Sequence, residues 1–288
     1  MRTRRVERKM KEVEIRKNSG PLRAFCIASS ALFLILFMAT PLAYILYVAL
    51  RQGVKTYWAA ISDPYAVKAA ILTLETTIWA IVVNSIFGIV SAWCITKYAF
   101  HGKKLISALI DLPVAVSPII AGFVFILTFG RQSWLYPYLE KAGIQIVFAV
   151  PGVVLATIFV TFPFISRELI PVLSAQGTDE EEAAALMGAK TWIIFKNVTL
   201  PHIKWALLYG VILCAARAMG EFGAVSVLSG HLRGKTNTLP LYVELLYQGY
   251  DFTGAFAASS ILVVCAVLIL ILRVWLEKKG GKDLDLRK

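Results

Sequence analysis

The run Gly177-Thr-Asp-Glu-Glu-Glu-Ala-Ala-Ala-Leu-Met-Gly-Ala-Lys-Thr-Trp-Ile-Ile-Phe-Lys-Asn-Val-Thr-Leu-Pro201 decides how the rest of the chain is read. It is the longest polar interruption between apolar segments. Thr178 followed three residues later by Glu181 has the form of a capping box, and the acids Asp179 to Glu182 lie where a helix N-terminus favours negative charge. Gly188 fits the position just past that helix, where a left-handed backbone is wanted. A second short helix, Thr191 to Thr199, is predicted to stop near Pro201, which has no backbone N–H to donate. Two short helices between apolar segments serve either as a docking knob for a partner or as a connector. The residues alone leave both open.

Outside that run the chain is apolar: 58% of its 288 residues are hydrophobic and 17% charged, with a mean hydropathy of +0.69. Soluble domains average about 45–50% apolar and 25% charged, so this sequence has too much apolar surface to bury in water and reads as an integral membrane protein. The net charge of +12 does not imply nucleic acid, because nine of the 30 Lys and Arg fall in the first 24 residues and six in the last 16. That pattern flanks membrane spans rather than forming a basic face with interleaved aromatics. Cys26, Cys94, Cys214 and Cys265 each stand alone in apolar segments, and His101, His202 and His231 lie far apart, so neither a disulfide framework nor a metal site is expected.

Six spans of roughly the 20 residues that a bilayer requires are predicted. They are Phe25–Leu50 with a kink at Pro41, Thr76–Thr96 with Glu75 at its outer end, Leu105–Phe129, Ala142–Ser166, Trp205–Ser229 and Phe252–Leu272. The first is too long for a cleavable signal. The fold class is therefore all-α, a six-span transmembrane domain over 25–276 between a basic tail at 1–24 and a short tail at 277–288. With the N-terminus inside, the inner segments 1–24, 97–104, 167–204 and 273–288 hold 22 Lys and Arg, against 7 in 51–68, 130–145 and 230–254. The positive-inside rule then puts both termini and the Glu182 run in the cytoplasm.

Two spans carry chemistry. The third contains Pro113, Ser117, Pro118 and Gly122; its prolines free backbone carbonyls, which lipid does not tolerate unless protein or a water-filled cavity satisfies them. It lines a substrate route, with exposed helix N-termini for anions, or it is a packing kink. The fifth carries Arg217 at its middle, with Glu221 four residues on as its expected partner, and Gly223 and Ser226 just beyond. Arg217 either meets a passing oxyanion or locks the helix to a neighbour; tight anion binding in a pathway would slow release, which favours the lock. In the second span, Asn84 and Ser85 line the route or bond neighbouring helices. Gly230-x-x-x-Gly234-Lys235-Thr236 is one residue short of a phosphate-binding loop and follows a membrane span rather than a strand, so no nucleotide site is read there.

Glu182-Ala183-Ala184, three residues, Gly188, nine residues, then Val198-Thr199-Leu200-Pro201 resembles the Glu-Ala-Ala loop of bacterial ABC importer permeases. The third-span segment and Gly220-Glu-Phe-Gly-Ala224 resemble permeases of sulfate and molybdate importers. Gly230 to Leu246 and Tyr250 to Ala258 are similar to the W-type subunits of sulfate/thiosulfate importers, so the likeness extends over most of residues 70–275. It implies the type I importer fold and an ATPase-coupling role for Glu182, Ala183, Ala184, Gly188, Leu200 and Pro201. It also implies a pathway role for the third- and fifth-span residues. The implied partners are a homologous second permease subunit, two ABC ATPase subunits and an extracytoplasmic sulfate/thiosulfate-binding protein, in a bacterial inner membrane. The chain itself is expected to need no cofactor and to perform no covalent chemistry, ATP and Mg being held by the ATPase. Rival readings are an importer for molybdate, tungstate or another solute, an ion-coupled secondary transporter, and a membrane hydrolase. The secondary transporter is disfavoured because Glu221 alone sits at mid-depth with a counter-charge. The hydrolase is disfavoured because no Ser/His or Asp/Asp pair shares a depth.

Overall fold

The computed structural model describes residues 20–285, and all regular structure among them is helical. The basic tail thus lies largely outside the described residues. A backbone in hydrocarbon must satisfy its own polar groups, and a helix does so within one segment. Among the described residues five helices are long and apolar enough to cross a bilayer: Leu22–Leu50, Pro64–Lys97, Val150–Gln176, Thr191–Met219 and Phe252–Lys279. Read as one broken span, the pair Lys103–Ala115 and Pro118–Phe129, bent by 109°, makes a sixth.

In chain order the elements are α1 (Gly20–Leu34), a π turn (Ile35–Ala39), α2 (Thr40–Leu50), α3 (Val54–Ile61), α4 (Pro64–Lys97), α5 (Lys103–Ala115), α6 (Pro118–Phe129) and α7 (Tyr136–Lys141). There follow α8 (Val150–Gln176), α9 (Asp179–Leu186), α10 (Thr191–Ile194), a second π turn (Phe195–Thr199), α11 (Leu200–Met219), α12 (Gly223–Leu228), α13 (Leu239–Gln248) and α14 (Phe252–Asp285).

Three predicted boundaries shift, each for a local reason. The second span starts at Pro64, not Thr76, because Asp63 accepts the N–H groups of Tyr65 and Ala66 at 2.8 and 3.3 Å and Pro64 suits the first helical position. Glu75 therefore lies on an exposed face inside the helix. The fourth begins at Val150, since Gly143 and Phe148 hold left-handed conformations, and it continues past Arg167 to Gln176. The fifth is longer and broken. Pro201 does not end the preceding helix: the Leu200 N–H reaches back to the Phe195 carbonyl, and this wider π turn carries the chain past a residue without an N–H. Pro41 is passed in the same way, with the Thr40 N–H on the Ile35 carbonyl, so a π turn stands where a kink is predicted.

α8 is the hub. Near its start Val153, Ala156 and Val160 pack with Ala224, Val225 and Leu228 of α12 and Leu241 of α13. Further on, Ile165, Leu169 and Leu173 pack with Ala92 of α4 and with Ile203 and Cys214 of α11. Gly88 of α4 and Gly210 of α11 close on Ile165 from two sides: a Cβ on either would stand 2.8 Å from Ile165 Cγ2 or 3.1 Å from its Cα. Without a hydrophobic force between helices in lipid, such small-residue contacts supply the packing. Fully buried Asn84 donates to Thr161 Oγ1 at 2.8 Å and to the Ile158 carbonyl at 3.3 Å, and lies 3.7 Å from Cys214 Sγ. The inter-helix reading of Asn84 is the one seen. Cys214 is buried in this knot, whereas Cys26 and Cys94 lie on the outer surface of the bundle.

The connections gather at two ends. Lys97 meets Gly177 and Glu181 at one. At the other, Tyr57 bonds Ser260, Phe148 bonds Leu228, and Tyr242 donates to Asp63 at 3.2 Å. These are the groupings that the Lys and Arg count assigns to the two sides. Burial, with the Asp63 carboxylate beside it, pushes the Tyr242 phenol above its ordinary pKa, so it stays a donor at neutral pH.

Candidate docking loop and paired broken helices

α9 carries four acids in its first turn and ends as the sequence predicts. The Gly188 N–H bonds the Ala185 carbonyl at 2.9 Å and the Ala189 N–H the Ala184 carbonyl at 3.1 Å. This is a Schellman closure, with Gly188 at φ +85°, a conformation that a side chain resists. Its start differs from prediction. The Thr178 side chain makes no cap bond, and Glu181 turns to Lys97 Nζ at 3.1 Å and to the Thr199 hydroxyl at 2.8 Å. The capping box offers this carboxylate one backbone N–H, whereas Lys97 brings a full opposite charge and Thr199 a hydroxyl as well, so the box does not form.

The loop presents Glu182, Ala183 and Gly188 exposed, Ala184 half-buried, and the large apolar side chains Leu186, Met187 and Trp192 at 90%, 88% and 69% exposure. Large apolar side chains exposed among charged residues at a bundle end are of the kind found at interaction surfaces. Leu200 and Pro201 do not share it: both are half-buried in the first turn of α11, Leu200 against the Ile165–Leu169–Ile203 cluster.

Of the residues predicted along the third and fifth spans, the structure brings Pro118 against Gly223, and Gly122 against Ala224 beside it. Val116 and Ser117 are extended, as a residue before proline prefers, and they break the third span between α5, in which Pro113 is buried, and α6, which starts at Pro118. The fifth span breaks at Gly220–Phe222. The two second halves then cross. A Cβ on Gly122 would stand 2.8 Å from the Ala224 carbonyl oxygen, and one on Gly223 would stand 2.9 Å from Pro118 Cβ. Gly122 permits backbone-to-backbone contact and Gly223 lets the Pro118 ring lie against the backbone, and a side chain on either would prevent this approach. Ser226 is half-buried and donates to the Gly223 carbonyl at 2.9 Å within its own helix, and Ser117 makes no cap bond.

Arg217 is not mid-helix; it lies in the last turn of α11, two residues before its end. Its Nη1 stands 2.6 Å from Glu221 Oε2, the guanidinium side chain 32% exposed and the carboxylate side chain 1%. The other Glu221 oxygen accepts the Ala224 N–H at 2.8 Å. The pair therefore joins the two halves of one span across the break, where prediction offered a neighbouring helix. A cavity of about 300 Å³ opens beside this break between α11 and α14, walled by apolar side chains and Arg273.

Among the ion pairs of the described residues, Lys97–Glu181, and Asp111–Arg167 at 2.7 Å with both side chains half-exposed, leave no sequence signal because their members are far apart in the chain. The latter ties α5 to α8 and gives Asp111 a cationic partner.

The whole is a polytopic helical bundle with two broken spans packed side by side and a short acidic helix held at one end. It superposes with a TM-score of 0.73 on a chain of the crystal structure of a bacterial alginate ABC transporter in complex with alginate pentasaccharide-bound periplasmic protein, at 18% identity over 89% of this chain and 93% of that one. Residues 84–280 match the family described as "Binding-protein-dependent transport system inner membrane component", and the chain belongs to that family. It is 45% identical over 253 residues to "Sulfate transport system permease protein CysW" of Escherichia coli strain K12, covering 88% of this chain and 87% of that one. It is 44% identical over 255 residues to the protein of that name in Synechocystis, covering 88% and 92%. Identity to "Sulfate transport system permease protein CysT" of Escherichia coli is 32% over 256 residues, covering 89% and 92%.

Proposed function

We propose that this chain is the W-type permease subunit of an ATP-driven importer of sulfate and thiosulfate. Near end-to-end identity of 45% with a protein named as a sulfate transport permease carries the reading. The simultaneous 32% identity to a T-type sulfate permease supports a homologous second subunit as its partner across a pseudo-twofold axis. In this reading the pathway runs between the two subunits, past α6 and α12, and an extracytoplasmic binding protein delivers the anion. Two ATPase subunits supply the work, one of them seated on Glu182 to Gly188 with Leu186, Met187 and Trp192. ATP and Mg bind there and not on this chain, which makes and breaks no covalent bond. Both termini and the α9 loop are cytoplasmic, in the inner membrane. ATP-driven closure of the ATPase pair displaces α9 and switches the pathway between inward- and outward-facing states.

The test is growth of a bacterial strain that lacks its W-type sulfate permease subunit, on sulfate as sole sulfur source. The chain should restore growth, and Glu182→Lys should abolish growth and ATPase co-purification while the protein still inserts. Rescue of molybdate uptake instead of sulfate uptake would reassign the anion. Sulfate uptake by the purified chain alone in liposomes would overturn the ATP-driven reading.

A further inference from the structure

Lys97 closes α4, where the last-turn carbonyls favour a cation. Its side chain does not run into solvent; it is 6% exposed, with Nζ 3.1 Å from Glu181 Oε1 and donating also to the Gly177 carbonyl. The same Glu181 oxygen accepts the Thr199 hydroxyl at 2.8 Å, and Thr199 is fully buried in the π turn that opens α11. One carboxylate, 14% exposed, thus joins the end of α4, the α9 loop and the start of α11. A further polar link between α9 and α11, Glu180 to His202 at 3.4 Å, is open to water at both partners and correspondingly soft.

The placement is informative because Glu181 gives up the capping box for it. Stabilising α9 alone would be served by the cap. A bond between elements serves their joint movement. α9 is flanked by Gly177 at φ +70° and Gly188 at φ +85°, so the chain itself holds it by two glycine joints. α4 and α11, by contrast, both press on α8 at Ile165 and share the Asn84 knot. Glu181 is thus a largely buried polar tie between α9 and that three-helix unit.

We propose that Lys97, Glu181 and Thr199 are positioning residues that form a strut, carrying displacement of α9 into α4 and α11 together. The proposal rests on the reading of the chain as an ATP-driven permease. It is tested in proteoliposomes holding the whole complex of this chain, its second permease, the ATPase pair and the binding protein, by measuring radiolabelled sulfate moved per ATP hydrolysed. In Lys97→Met the ATPase should co-purify at the wild-type ratio and hydrolyse ATP within about twofold of wild type, while sulfate per ATP falls about tenfold, inside the range of coupling between sites. The swap Lys97→Glu with Glu181→Lys should recover a good part of that ratio, because the contact is restored with its charges exchanged. Thr199→Val keeps the shape, removes one hydrogen bond, and should lower the ratio about threefold; it carries the test if Lys97→Met fails to accumulate in the membrane. A ratio unchanged in these variants, or transport and hydrolysis falling in proportion, overturns the strut. Absence of ATP-dependent uptake by the wild-type complex would instead remove the ATP-driven reading on which the strut rests.

Discussion

Arg217→Ala separates a structural from a pathway role for the fifth-span charges. The Glu221 side chain is 1% exposed, and its charge is met by Arg217 Nη1 at 2.6 Å and the Ala224 N–H at 2.8 Å. Removing the guanidinium leaves a buried carboxylate with one neutral donor. Breaking a buried pair from one side costs about 3–5 kcal/mol. Arg217 keeps 32% of its side chain open, so water can partly replace it, and about 2–4 kcal/mol is the expected loss. In Arg217→Ala with Glu221→Ala no charge is stranded, and what remains is the lost acceptor at the start of α12, about 1 kcal/mol on the scale of helix caps. The double variant should therefore be more stable than Arg217→Ala by about 1–3 kcal/mol, a coupling of the size seen between contacting residues. The assay is a thermal melt of the detergent-solubilised complex read by size exclusion, where about 2–4 °C per kcal/mol is expected by the scaling of domains of this size, with sulfate uptake measured alongside. If the double variant melts at or below Arg217→Ala, Arg217 is not there to neutralise Glu221, and its use in the pathway gains ground.

Gly122→Ala should lower stability by about 1–3 kcal/mol, the cost of overpacking, because the obstructing atom, the Ala224 carbonyl oxygen, is backbone and cannot rotate away. Gly220→Ala is the matched control: its Cβ would meet only the Ala216 carbonyl oxygen at 3.8 Å, so its melt should be unchanged. Gly188→Arg, at φ +85° with open space around it, should cost about 1–2 kcal/mol for the left-handed backbone yet abolish ATPase co-purification; retained binding would exclude α9 as the dock. Asp111→Asn, in a pair half-open to water, should shift the melt by no more than about 1 kcal/mol.

Much of the fold was legible because membrane insertion leaves few options. Charge-free apolar runs of bilayer length can only be helices, and Pro113 with Pro118 announced a broken one. Gly188 was legible as a helix end because the requirement for a left-handed residue is local. Boundaries were less so. Nothing in the Thr199-Leu-Pro201 spelling says that a π turn will carry the helix past proline, and the Gly220–Phe222 break hides in a run that is apolar on both sides of Glu221. Glu181 was misread for a physical reason: the capping pattern is satisfied within four residues, whereas Lys97, which displaces it, lies 84 positions earlier in the chain. Single-sequence patterns register local competition only, and a buried cation from another helix outbids a backbone N–H.

The two groups of candidate functional residues are joined by one element. α11 runs unbroken for 20 residues from Leu200 to Met219, about 30 Å at the rise of an α-helix. Its first turn follows directly on Thr199, bonded to Glu181, and its last turn carries Arg217, bonded to Glu221 across the break. Beyond that break α12 lies against α6, backbone to backbone at Gly122 and on the Pro118 ring at Gly223. A continuous helix shortens or bends little under load, so a shift at the Thr199 end reaches the Arg217 end nearly whole, and the break is the first place where the backbone can yield. If α9 displaces α11 as proposed, the ion pair over that break is the contact that ties α12 to α11, and Arg217→Ala should then lower the sulfate moved per ATP as well as the melting temperature.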